Sequence, residues 1–139
     1  MTEMSEPRPT DGPGAPRLTP IPPNPRAPVL LVDDDAELRE MLREMLEASG
    51  YDVYCASNGR EALDLLHEAD PPPGLILLDL MMPVMTGEEM LAALKQVHAL
   101  AAIPVTIVSG HDGPPEGTAY LKKPVDFGAL LAIVQKTCG

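Results

Sequence analysis

Asp79 directly follows the apolar run Gly74-Leu75-Ile76-Leu77-Leu78, and Asp33-Asp34-Asp35 directly follows Val29-Leu30-Leu31-Val32. A carboxylate placed just after a buried-strand pattern sits at the mouth of a sheet, where open α/β folds bind their ligands. Two such strands side by side would gather several negative charges in one crevice. That arrangement holds only if a cation or shared protons neutralise it. Hard oxygen ligands with few protein contacts suit Mg²⁺, which keeps several waters and favours sites shared with phosphate. Asp34 and Asp79 would each supply a ligand, and Asp33 one through water. A bound cation would also lower the repulsion met by an anionic phosphoryl donor. An aspartate carboxylate can then attack phosphorus and form an acyl phosphate.

Ser109 ends a further apolar run, and Lys123 stands just before Pro124. The lysine would hold one phosphoryl oxygen as a point charge, and the serine hydroxyl would donate to another. A Lys-Pro step is among the few peptide bonds that adopt cis, which would fix the direction of the lysine.

The elements needed to position these residues are legible as an alternation. Strands are expected at about Val29–Asp33, Asp52–Ala56, Leu75–Asp79, Ile103–Ser109 and Ala119–Lys122. Between and after them lie helical patterns. The first, about Ala36–Ser49, carries Leu38, Met41, Leu42, Met45 and Leu46 at helical spacing and stops at Gly50. The second, about Arg60–Ala69, has Asn58 as a candidate N-cap, and Pro71-Pro72-Pro73 breaks the chain after it. The third, about Gly87–Leu100, opens on a capping box of Thr86 and Glu89. The last, about Phe127–Lys136, follows Asp126 as N-cap. Strands alternating with helices imply a parallel sheet covered on both faces, which explains strands that are short and apolar throughout. A doubly wound five-stranded sheet of order 2-1-3-4-5 makes strands 1 and 3 neighbours at the switch point. Asp34 and Asp79 then flank one crevice, with Ser109 and Lys123 beside it.

The chain of 139 residues fits one domain plus a tail, and its 45% hydrophobic content supports a real core. A net charge of −11 argues against nucleic acid and anionic membranes as partners. Cys55 and Cys138 lack metal-ligand spacing and make no disulfide framework, which points to a reducing, cytoplasmic setting. No apolar run approaches a membrane span, and the N-terminus lacks the pattern of a signal peptide. Residues 1–27, rich in Pro, Gly and charge, read as a disordered tail, leaving 28–139 as the domain.

Four motifs now stand in order: Val32-Asp33-Asp34; Leu77-Leu78-Asp79-Leu80-Met81-Met82-Pro83-Val84-Met85-Thr86-Gly87; Val108-Ser109-Gly110; and Tyr120-Leu121-Lys122-Lys123-Pro124. Each closes a predicted strand. Together they resemble the response-regulator receiver family of two-component signalling, from about Val29 to Val134. The resemblance implies a flavodoxin-like fold and a stand-alone, chemotaxis-regulator-like receiver. It implies that Asp79 is phosphorylated and that Asp33 and Asp34 form the acidic pair for Mg²⁺. Met81 would ligate the metal through its backbone carbonyl. Ser109 would be the switch hydroxyl, Lys123 the family's lysine, and Tyr120 the aromatic switch. Implied donors are a sensor histidine kinase or a phosphotransfer domain, and implied outputs are a downstream protein or a homodimer. The chain would be a switch, not a turnover enzyme.

Thr86 stands where the family commonly has Asp. Between Ser109 and Lys123 the family places a whole helix 4, whereas here His111-Asp112-Gly113-Pro114-Pro115-Glu116-Gly117-Thr118 is short and full of breakers. That helix is therefore expected to be missing or reduced to a single turn. No effector segment follows Gly139, so output is expected through binding another protein. Met41, Met45, Met81, Met82, Met85 and Met90 read as core or wall filler, and His67, His98 and His111 as exposed. Two rival functions are a pseudo-receiver acting as a phosphorylation-independent interaction module and a phosphatase of the haloacid-dehalogenase type. The latter needs a second acid two residues after its nucleophile, where this chain has Met81.

Overall fold

The structure is a computed structural model and describes residues 26–80, 82, 84–110 and 119–139. Its elements run β1 (Val29–Val32), α1 (Ala36–Ala48), β2 (Val53–Ala56), α2 (Gly59–Glu68), β3 (Leu75–Leu78), α3 (Gly87–Gln96), α4 (His98–Ala101), β4 (Val105–Ser109), β5 (Ala119–Lys122) and α5 (Phe127–Cys138). The strands form one parallel sheet of order β2-β1-β3-β4-β5. Strands 1 and 3 are thus neighbours, as the sequence implied.

The apolar runs explain the layering. Side chains alternate across a strand, so Leu30, Val32, Ile76, Leu78 and Ile107 meet Ala62 and Leu66 of α2, Met90 and Leu94 of α3 and Leu100 of α4. Val29, Leu31, Leu75, Leu77 and Val108 meet Leu42 and Leu46 of α1 and Leu130, Val134 and Cys138 of α5. Both faces are covered, and every residue of β1 and β3 is buried.

Each long helix begins on the cap its sequence offers. Asp35 accepts from the Leu38 amide and Asn58 from that of Glu61, Asp126 accepts at the start of α5, and Thr86 and Glu89 close a reciprocal box. These contacts satisfy amide groups that a helix N-terminus leaves without internal partners.

The structure departs from the sequence expectations at three places. The helix read as Gly87–Leu100 breaks at Val97, whose backbone is extended (φ −108°, ψ 108°), and α4 starts afresh. The β-branched Val97 ends one helix and caps the next: its amide donates to the Leu94 carbonyl and its own carbonyl accepts from Leu100 and Ala101. Strand β4 starts at Val105 instead of Ile103, because the Ile103 amide is spent on the Leu100 carbonyl and Pro104 has no amide to offer. Met41 and Met45 are not core: they are 48% and 36% exposed. Their periodicity marked a stripe wider than the sheet can cover, and Leu42 and Leu46 take the centre of it. Met82 and Met90 are buried and Met85 packs on the core, as read. His67 and His98 are exposed.

The loss of helix expected between strands 4 and 5 falls on residues 111–118, and that expectation, like those for His111 and Met81, lies outside the described residues. So does most of the tail. Arg26 and Ala27, read as its end, already touch the domain. The Arg26 guanidinium lies 5.0 Å from the ring centroid of Tyr51 and donates to the carbonyls of Ser49, Gly50 and Gly139. Among the described residues, no helix is long and apolar enough to cross a membrane.

Candidate functional site

The register of the sheet sets the site. Val32 pairs with Leu78, so the next residues, Asp33 and Asp79, emerge together at the carboxyl ends of neighbouring strands. The Asp79 amide donates to the Val32 carbonyl at 3.0 Å, and the Asp33 amide to the Ala56 carbonyl at 3.2 Å. Both carboxylates are therefore rooted in the sheet, and both residues are buried, at 6% and 5% exposure. Asp34, one residue further, is exposed above them. One oxygen from each of Asp33, Asp34 and Asp79 lies within 4.8 Å of the others.

Lys123 reaches the same point from β5. Its Nζ donates to Asp33 Oδ2 at 2.8 Å and stands 3.5 Å from Asp79 Oδ2. Burial alone would lower the affinity of this ammonium for its proton. The hydrogen bond to Asp33 and the charges of Asp33 and Asp79 outweigh burial, and its pKa lies above the ordinary value. The Lys123–Pro124 peptide bond is cis, the isomer the sequence reading had allowed.

Ser109 is fully buried at the end of β4. Its carbonyl accepts from the Lys123 amide at 2.9 Å and from the Tyr120 hydroxyl at 3.2 Å. Tyr120 is half-buried and packs against the core on the face of the sheet that α2, α3 and α4 cover. Ser109, Tyr120 and Lys123 are thus linked through one carbonyl. The structure brings together Asp33, Asp34, Asp79 and Lys123 directly, and ties Ser109 and Tyr120 to Lys123 through the main chain.

Asp33 is held with unusual completeness. Its Oδ1 accepts from the Asp35 amide at 2.9 Å, its Oδ2 from Lys123, and its main-chain carbonyl from Arg39 Nη1 at 2.6 Å. The reading of the sequence missed Arg39. The only signal was a basic residue one helical turn beyond the acidic triplet. It also missed a close approach at Gly87, which opens α3. A Cβ there would stand 2.5 Å from the Asp79 carbonyl oxygen and 2.7 Å from Leu80 Cα.

Carboxylates at this spacing, with an ammonium on one side and an open side at Asp34, fit a small hard divalent cation and an anionic phosphoryl group together. Known proteins share the sequence and the fold of this chain. Residues 29–135 match the family described as "Response regulator receiver domain". The chain is 47% identical over 112 residues to the transcriptional regulatory protein CpxR of Escherichia coli, covering 77% of this chain and 47% of that protein. It thus spans about half the length of such curated relatives. Among solved structures, chemotaxis protein CheY4 of Vibrio cholerae superposes with a TM-score of 0.72 at 32% identity, over 81% of this chain and 98% of that one. A response regulator receiver protein from Pseudomonas putida gives 0.73 at 34% identity, over 80% and 97%.

Proposed function

The chain belongs to the response regulator receiver domain family of two-component signalling, and from that premise we propose that Asp79 accepts a phosphoryl group from a phosphohistidine on a partner histidine kinase or phosphotransfer domain. The convergence of Asp33, Asp34 and Asp79 beside the Lys123 ammonium supports this reading most strongly.

In the proposed step an Asp79 carboxylate oxygen attacks phosphorus in line. The P–N bond breaks as the P–O bond forms, and the bonding pair leaves on the imidazole nitrogen. With its other nitrogen protonated, the imidazole departs as a neutral ring. Mg²⁺, held by Asp34 and Asp79, by Asp33 through water and by the Met81 carbonyl, would neutralise the carboxylates and screen the phosphoryl oxygens. Lys123 already faces Asp79 and offers its charge to one of those oxygens. The Ser109 hydroxyl donates to another. Because the product stays bonded to Asp79, the chain acts as a switch and not as a turnover enzyme.

Output follows the carbonyl shared by Lys123 and Tyr120. Drawing Ser109 toward a phosphoryl group strains both bonds, and Tyr120 and the surface around β5 respond. A downstream protein or a second copy would read that surface. The strongly acidic chain offers no electrostatic footprint for nucleic acid.

Mass spectrometry after incubation with acetyl phosphate and Mg²⁺ tests the proposal. One phosphoryl group should map to Asp79, be absent without Mg²⁺ and be absent in Asp79→Asn. No uptake by the wild-type chain, or uptake that survives Asp79→Asn, would reject it and leave an interaction module that works without phosphorylation.

A further inference from the structure

We propose that Arg39 is a positioning residue for Asp33, and that it sets the affinity of the acidic site for a divalent cation without touching the cation. The proposal rests on the reading of that site given above and deepens it.

Arg39 lies one turn into α1, its amide donating to the carbonyl of the N-cap Asp35 at 2.9 Å. Side chains on a helix lean toward its N-terminus, so the guanidinium reaches back over the β1–α1 turn. There it donates to the Asp33 main-chain carbonyl at 2.6 Å. It also lines a pocket with Asp33 and Asp79 and the apolar Leu31, Leu42, Leu77 and Val108. Asp33 is the hinge between strand and helix. With its carbonyl fixed, its Oδ1 keeps the Asp35 amide and its Oδ2 keeps Lys123. Releasing the carbonyl would let the Asp33–Asp34 peptide plane rotate, which takes the Asp35 amide away from Oδ1 and shifts Asp34 with it.

Charge and position make opposite demands on Arg39. A guanidinium beside the acids repels an arriving cation, so if it acted through charge alone, removing it would tighten Mg²⁺ binding. If it acts by holding Asp33, removing it weakens binding, because partners that orient metal ligands are typically worth roughly 10- to 100-fold in affinity.

Isothermal titration of the full chain with Mg²⁺ should give Arg39→Met about tenfold weaker affinity than wild type. Arg39→Lys keeps the charge without the fork and should fall between the two. The Asp35 amide resonance, read by ¹⁵N NMR without metal, should move in Arg39→Met and move less in Arg39→Lys. Unchanged or tighter binding in Arg39→Met, with an unmoved Asp35 amide, overturns the proposal. If Arg39→Met does not fold, Arg39→Lys decides: affinity equal to wild type overturns the proposal, and a few-fold loss supports it. If the wild-type chain binds no Mg²⁺, the functional reading fails instead, and the Asp35 resonance alone judges whether Arg39 positions Asp33.

Discussion

Gly87 meets the Asp79 main chain so closely that a single added carbon would stand 2.5 Å from the Asp79 carbonyl oxygen. The start of α3 is thereby pressed against the segment that carries Asp79, the proposed acceptor, and the Gly87 amide donates to the Leu80 carbonyl at 3.1 Å. Gly87→Ala must push the two apart. It should cost about 1–3 kcal/mol in urea unfolding and slow phosphoryl uptake roughly tenfold or more through misplacement of the acceptor. Gly110→Ala, where nothing among the described residues lies within 4 Å, should leave both unchanged. Equal behaviour of the two variants would show that the approach is not limiting.

Lys123 both neutralises and repels. Lys123→Met leaves the buried carboxylates of Asp33 and Asp79 without their ammonium and should cost about 1.5–3 kcal/mol without metal. The same change removes a positive charge from the crevice, so Mg²⁺ affinity should rise and the stability deficit should shrink as Mg²⁺ is added. Phosphoryl uptake should nevertheless fall. Unfolding curves with and without Mg²⁺ check the first two claims, and mass spectrometry the third.

Val84 occupies the left-handed region at φ 69° and is 81% exposed. A β-branched side chain pays for that backbone with no burial in return, at roughly 1–2 kcal/mol. Val84→Asn should raise stability by about 1 kcal/mol. Val84→Gly should gain less, because glycine also loosens the unfolded chain. A lower melting temperature in Val84→Asn would mean that Val84 makes a contact worth more than the strain.

Glu61 accepts from the Ser57 amide at 2.8 Å and the Ser57 hydroxyl at 2.7 Å, in front of α2. The Ser57 amide, then the hydroxyl, holds its carboxyl below the ordinary value of 4.5. A depressed folded pKa gives stability that is present above 4.5 and lost as pH falls through the folded value. Glu61→Gln should therefore melt lower than wild type at pH 7, and the gap should close as the pH falls from 4.5 through the lowered folded value. A gap independent of pH would assign the effect to shape and not to charge.

Much of this was legible in the chain. Leu75–Leu78 is apolar at every position, and only a strand covered on both faces tolerates that. Once strands 1 and 3 are neighbours, the positions of Asp33 and Asp79 follow from counting. The caps were legible because Asp35, Asn58, Thr86 and Asp126 act on amides only two or three residues away. What escaped depended on distant geometry. Val97-His98-Ala99-Leu100 continues a helical spacing, yet the helix breaks there. Met41 and Met45 share a stripe with Leu42 and Leu46, and only the breadth of the sheet decides which pair is covered. Arg39 serves Asp33 through a main-chain carbonyl, and no pattern of side-chain types records such a bond.

Arg26 gathers the far ends of α1 and α5 at the pole where the strands begin, whereas the acids stand where the strands finish. The molecule thus has a handle and a working end, separated by the full length of the sheet. A dye or a surface tether attached beside Arg26 would leave the acidic crevice facing solution, so immobilisation and partner docking there need not compete for the same ground.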